Sequence, residues 1–167
     1  GGGGGAGGGE RWGRVGGGGG GRGGGAGGGW GGGIGWLAVG AGCGSWDLAR
    51  PTARATADGA SLRLEGGKCF VLDAQNADLL VVACTLRDEP AVVVVERAQL
   101  PDGALRTERL VDETRRSARL RLDGVRLPPE ALLAGGDVAE SLGQTQMLGA
   151  LLVSGEMAGV APGVFEL

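Results

Sequence analysis

The sequence predicts a mainly β protein: an antiparallel barrel or sandwich of about six or seven short strands, followed by one long C-terminal α-helix, behind a glycine-rich N-terminus expected to be disordered. Three observations carry this. Between Pro51 and Val125 apolar residues recur with period two, or in short runs bounded by turn residues, as strands require. From Val138 onward the apolar spacing becomes helical. Before Trp36, glycine is too frequent for a core to form.

Glycine occupies 25 of the first 35 positions. Each loses the most backbone entropy on ordering and has no side chain to bury, so residues 1–35 read as a flexible coil. There is no Gly-X-Y period and no charged then apolar leader, which excludes a collagen helix and a signal peptide from this tract. One lysine, Lys68, stands against fifteen arginines. That bias fits GC-rich coding DNA, and the tract reads more readily as translated G-rich sequence than as a functional tail.

The next stretch, "AVGAGCGSWD" at 38–47, invites comparison with the dinucleotide fingerprint G-x-G-x-x-G. The fingerprint needs a helix directly after its last glycine. Here "SWDLARPTARATADG" follows, and Pro51 leaves no room for a ten-residue amphipathic helix, so the nucleotide-loop reading is set aside.

The strands follow in order. "ARATA" at 53–57 ends at the turn pair Asp58-Gly59, and "SLRLE" sends Leu62 and Leu64 inward with Ser61, Arg63 and Glu65 outward before Gly66-Gly67 closes it. "KCFVLD" comes next. "DLLVVAC" and "AVVVVE" are almost wholly apolar, as strands covered on both faces are, and "RDEP" joins them. "ALRTERLV" and "SARLRLDGV" resume the alternation. Pro128 and Pro129 end the β-region, "EALL" makes a turn or two of helix, Gly135-Gly136 break it, and Asp137 is placed to cap the long helix. The boundaries are therefore 36–127 for the β-domain and 128–167 for linker and helix. The helix shows a wide apolar stripe with no second helix in the sequence to cover it, so a partner or a longer chain is expected to do so.

The formal net charge is −3 and the arginines alternate with Asp and Glu, so no basic face suggests nucleic acid. Cys43, Cys69 and Cys84 are widely spaced and histidine is absent, which excludes a zinc site or a His-based triad within the chain. Reduced, mostly buried cysteines in a cytoplasmic protein are expected. The longest apolar run, "MLGALLV", falls short of the ~20 residues that span a bilayer, and no membrane association is expected.

Several strings in fixed order resemble the acyl-CoA dehydrogenase family. "LEGGKCFVLDAQNADLLVVA" resembles its L-x-G-x-K-x-(W/F)-(I/V) strand and the A-D-x-x-(L/V)-V-x-A strand after it. "LRLDGVRLPPEALLAGG" resembles the passage out of its middle β-barrel, and "EMAGVAPGVFEL" the start of its first long C-terminal helix. The resemblance covers residues 36–167. It implies a barrel plus the first helix of a truncated C-terminal helical domain, FAD as cofactor, acyl-CoA as substrate, other subunits as neighbours and an electron-transfer flavoprotein or similar acceptor.

The resemblance also implies cofactor-binding positions. Aligned on Gly44-Ser45, the family's T-E-P-x-x-G-S loop puts Val39 where a flavin-contacting threonine stands. Aligned on "KCFVL", its K-x-W-I-T strand puts Phe70 at the aromatic that covers the flavin ring, then Val71, then Leu72 in place of a threonine. No catalytic residue is implied: the family's early base and following arginine fall on Gly149 and Ala150, and Glu156 and Glu166 read as surface or interhelical residues. As an incomplete chain it is expected not to catalyse alone and to bind FAD weakly or not at all. The alternatives are a non-catalytic partner subunit of such a dehydrogenase and a flavin-free β-barrel binding module.

Overall fold

A computed structural model describes residues 34–41, 44–133 and 135–165. The glycine tract up to residue 33, with the disorder expected of it, lies outside them, as do Cys43 and Glu166.

All seven expected strands form. They are β2 (Arg54–Asp58), β3 (Ser61–Glu65), β4 (Gly67–Leu72), β5 (Leu79–Leu86), β6 (Glu89–Glu96), β7 (Leu105–Glu108) and β8 (Ser117–Arg121). Two short flanking strands join them, β1 (Gly35–Ala38) and β9 (Arg126–Leu127), and the helix α1 spans Val138–Phe165. Gly35, expected in the disordered tract, thus opens the first strand.

The described residues form two sheets, and the larger is mixed. It runs β1-β5-β2-β3-β9 with β6 on the other side of β5; the smaller is β4-β8-β7. The expectation of a wholly antiparallel barrel is corrected at one edge. β5 pairs antiparallel with β6 along eight residues, but along its opposite edge it pairs parallel with β1 at Leu79 to Val82 and with β2 at Thr85 and Leu86. β1 and β2 therefore lie end to end, and the excursion through β3 and β4 supplies the crossover that a parallel pairing needs.

The alternation in β3 is as read: Leu62 and Leu64 are buried, Arg63 is exposed. They join Leu80, Val82, Val93, Val95, Leu120 and Leu127 in the main core. Ala91 to Val95 are all buried because β6 is covered twice. Val93 and Val95 face the main core, while Val92 packs with Ala83, Leu48 and Leu142 in a second cluster under the start of α1.

The helix begins where Asp137 predicts, its Oδ1 accepting the Glu140 N–H at 2.9 Å. Three contacts seat it: Leu142 is buried, Gln146 Oε1 accepts the Leu48 N–H at 3.1 Å, and Glu156 pairs with Arg115 at 3.0 Å. Beyond these its apolar side chains stand exposed, Leu151 and Leu152 at 68% and 66%. They lie round the helix and not in the single stripe that the spacing suggested. By length and composition α1 is also long and apolar enough to cross a membrane, which the short run "MLGALLV" concealed, since the intervening Gly, Ser and Thr barely lower the average. Helices of that kind occur within bilayers and equally at the centre of helical bundles.

This placement separates two leucines. Replacing the fully buried Leu64 by Ala is expected to cost about 2–5 kcal/mol in urea unfolding. Leu151→Ala on the exposed helix is expected to change stability by no more than about 0.5 kcal/mol. Equal effects would contradict the packing.

Candidate functional site

The glycines at 40 and 44 serve different geometric needs. A Cβ at Gly40 would lie 2.3 Å from the Cys69 carbonyl oxygen, so only glycine lets this segment approach β4 so closely. The approach is fixed by the Cys69 N–H donating to the Gly40 carbonyl at 3.2 Å and by a bridge between Ala41 and Lys68. Gly44 has φ +80°, the left-handed region that glycine adopts without strain, and its N–H donates to the Ala41 carbonyl at 2.9 Å. The chain then turns at 48–50 and enters β2, so no helix follows the glycines and no pyrophosphate cradle forms. The loop is a brace laid against β4.

β4 itself is irregular. Lys68 pairs with Leu120 and Val71 with Ala118, so Cys69 and Phe70 together stand opposite Arg119 alone. This extra residue is a β-bulge. It returns Val71 to the core and turns Phe70, at φ +53°, to the surface, where it is 39% exposed. Left-handed backbone is costly for a bulky residue, roughly 1–2 kcal/mol, and must be held by its surroundings.

Two restraints hold it. The Phe70 ring stacks on Trp46, centroids 6.2 Å apart and planes 23° apart, and a Cβ at Gly44 would lie 4.0 Å from the Phe70 ring. The Phe70 N–H, left without a ladder partner by the bulge, donates to Glu108 Oε2 at 2.8 Å. Ser117 Oγ donates to the same oxygen at 3.1 Å, and Arg119 Nε to Oε1 at 3.2 Å. On the same sheet face a cleft of about 240 Å³ is lined by Gly66, Gly67, Arg106, Arg119 and Arg121. Arg106 and Arg119 stand opposite each other; Arg119 is paired with Glu108, so Arg106 and Arg121 supply the cleft's remaining positive charge.

The structure thus gathers Gly44, Ser45 and Phe70 into one surface and leaves other expected positions outside it. Val39 packs against the second apolar cluster, Val71 is in the main core, and Leu72 sits half-buried at the end of β4. Neither Val39 nor Val71 presents its side chain there. Trp46, 54% exposed, belongs to the surface although no pattern in the sequence singles it out. Glu108 was missed because its partner is an N–H freed by a bulge, and no sequence period signals a bulge.

Beneath this surface Lys68 is fully buried, its Nζ donating to the Val39 carbonyl at 3.3 Å. Burial brings its ammonium down from 10.5 to about 8, with Cys84 and Cys69 nearby pulling weakly the other way. Burial likewise pushes the Cys84 thiol up to about 11. Cys69 and Cys84 are free thiols inside the fold; Cys43 lies outside the described residues.

No family model and no curated protein matches the sequence. Solved structures do match the fold. An active-site mutant of nitroalkane oxidase crystallised with 1-nitrooctane aligns with TM-score 0.63 and 22% identity, over 78% of this chain and 38% of its own. Glutaryl-CoA dehydrogenase from Mycobacterium smegmatis in complex with FADH2 aligns with TM-score 0.55 and 22% identity, over 68% and 30%. An acyl-CoA dehydrogenase from Geobacillus kaustophilus gives 0.54 and 22%, over 67% and 32%. The chain spans about a third of the length of these proteins.

Lys68 leaves a mark on stability against pH. Its folded value near 8 lies below its unfolded value near 10.5, so its burial penalty is complete below pH 8 and is relieved as pH rises towards 10.5. Cys84 works oppositely, removing stability between about 9 and 11. Urea unfolding of the protein and of Lys68→Met between pH 7 and 10.5 follows the lysine, with Cys84 present in both and entering the difference only through its secondary coupling to the ammonium. The difference is expected to move in favour of the unmutated protein by on the order of 3 kcal/mol across that window. A flat difference would place the ammonium in water.

Proposed function

We propose that this chain, which has the fold of the acyl-CoA dehydrogenases over about two thirds of its length, is the flavin-holding β-domain of a cytoplasmic oxidoreductase acting on acyl-CoA thioesters. One observation carries the reading. Phe70 is held in left-handed backbone at the surface, stacked on Trp46, instead of resting in the core as an aromatic in a strand ordinarily does. A flat, rigid aromatic shelf suits one face of a fused planar ring, and FAD carries such a ring.

Trp46 and Phe70 would bear the ring, and the exposed backbone of Gly44 and Ser45 would border it. The cleft on the same sheet face carries Arg106 and Arg121, whose charge is complementary to the phosphates. FAD, when bound, supplies a hydride acceptor. The chain's own contribution is to orient the ring and shield one face from water. No base is assigned here: Glu108 has both oxygens committed to donors, and Glu156 is paired with Arg115. A catalytic base, an acyl pocket and an electron-accepting flavoprotein would be supplied by other chain segments or partners.

A second reading, a non-catalytic subunit paired with a base-bearing one, is favoured by Val39 and Leu72. Both are aliphatic where the resembled family places flavin-contacting hydroxyls, and Val39 is turned into an apolar cluster.

Titration of the purified chain with FAD tests the shelf, because stacking on tryptophan quenches flavin fluorescence. Weak but saturable quenching is expected. Phe70→Ala and Trp46→Ala are each expected to weaken binding about 3- to 10-fold, the size of one aromatic stacking contact. Absence of quenching in the unmutated chain, or an affinity in both variants unchanged from that of the unmutated chain, would refute this use of the shelf.

A further inference from the structure

We infer that Glu108 is the positioning residue of the aromatic shelf: by accepting the Phe70 N–H it holds that residue in left-handed backbone and so sets the ring against Trp46.

The bulge opposite Arg119 removes the carbonyl that a regular ladder would offer to Phe70. An N–H so placed either finds another acceptor or forces the strand back into register. Glu108 lies on β7, beyond β8 from Phe70, with Ser117 as its cross-strand neighbour. Its carboxylate reaches across β8, and the side chain is only 13% exposed. One oxygen takes the Phe70 N–H and the Ser117 hydroxyl, while the other takes Arg119 Nε. The three donors come from β4 and from two positions on β8, so the carboxylate is fixed from both sides and transmits that fixity to Phe70. Reach is the decisive property: an acceptor one methylene shorter would still attract Arg119 but would no longer meet the N–H.

The inference deepens the proposed function, since it says what orients the surface assigned to the flavin ring, yet its test needs no ligand. Phe70 and Phe165 are the only two phenylalanines, so selective ¹³C labelling of the full chain gives two ring signals. In the unmutated protein the Phe70 ring should carry a ring-current shift from Trp46. Glu108→Gln keeps reach and acceptor but loses charge, and should keep at least half of that shift. Glu108→Asp keeps charge but loses reach, and should abolish it while the chain remains folded by its amide spectrum. Retention in Glu108→Asp, or loss in Glu108→Gln, would overturn the inference, because either would mean that the ion pair or overall stability governs the shelf. Because the readout is ligand-free, a failure of FAD to bind would count against the proposed function and leave this result standing.

Discussion

The bulge in β4 is the constraint on which the candidate site depends. A regular strand would put Lys68 and Phe70 on one face, both inside, with Cys69 and Val71 outside. Inserting one residue opposite Arg119 keeps Lys68 and Cys69 inward, restores Val71 to the core and leaves Phe70 as the one side chain directed outward. Every other feature of the site accommodates that choice. The segment up to Ala41 comes close enough to β4 only through Gly40, the Gly44 turn sets Trp46 over Phe70, and Glu108 meets the freed N–H.

The fold was legible because burial imposes period. Leu62 and Leu64 against Arg63 could be read directly, and the apolar run of β6 correctly implied cover on both faces. Parallel pairing was not legible, since β1 is four residues long and the direction of its partner leaves no trace in its own pattern. The site was legible only in part. Resemblance pointed to Phe70, and the structure adds the reason that it is exposed. Trp46 has no pattern around it, and Glu108 looks in sequence like any outward carboxylate of an alternating strand; its role exists only through a hydrogen bond spanning 38 positions.

The helix follows a different logic from the sheets. Its first turns are secured by Leu142 and by Gln146 holding the Leu48 N–H, so its start is tied to the loop that carries Trp46. Further along, the Arg115–Glu156 pair is an exposed contact worth at most about 1 kcal/mol. The apolar side chains beyond it are not covered by the described residues. The helix is therefore anchored at its start, where Leu142 meets Val92 of β6 and Gln146 holds Leu48.

Phe70 is positioned for the surface at the expense of its own backbone comfort. Thermodynamic comparison with Phe70→Gly tests it most directly. Glycine relieves the left-handed strain and gives up only a half-exposed ring and one stacking contact, so the unfolding free energy should change by less than about 1 kcal/mol. A loss of about 3–5 kcal/mol, the cost of truncating a buried phenylalanine, would show that the ring is a core residue and would contradict the account.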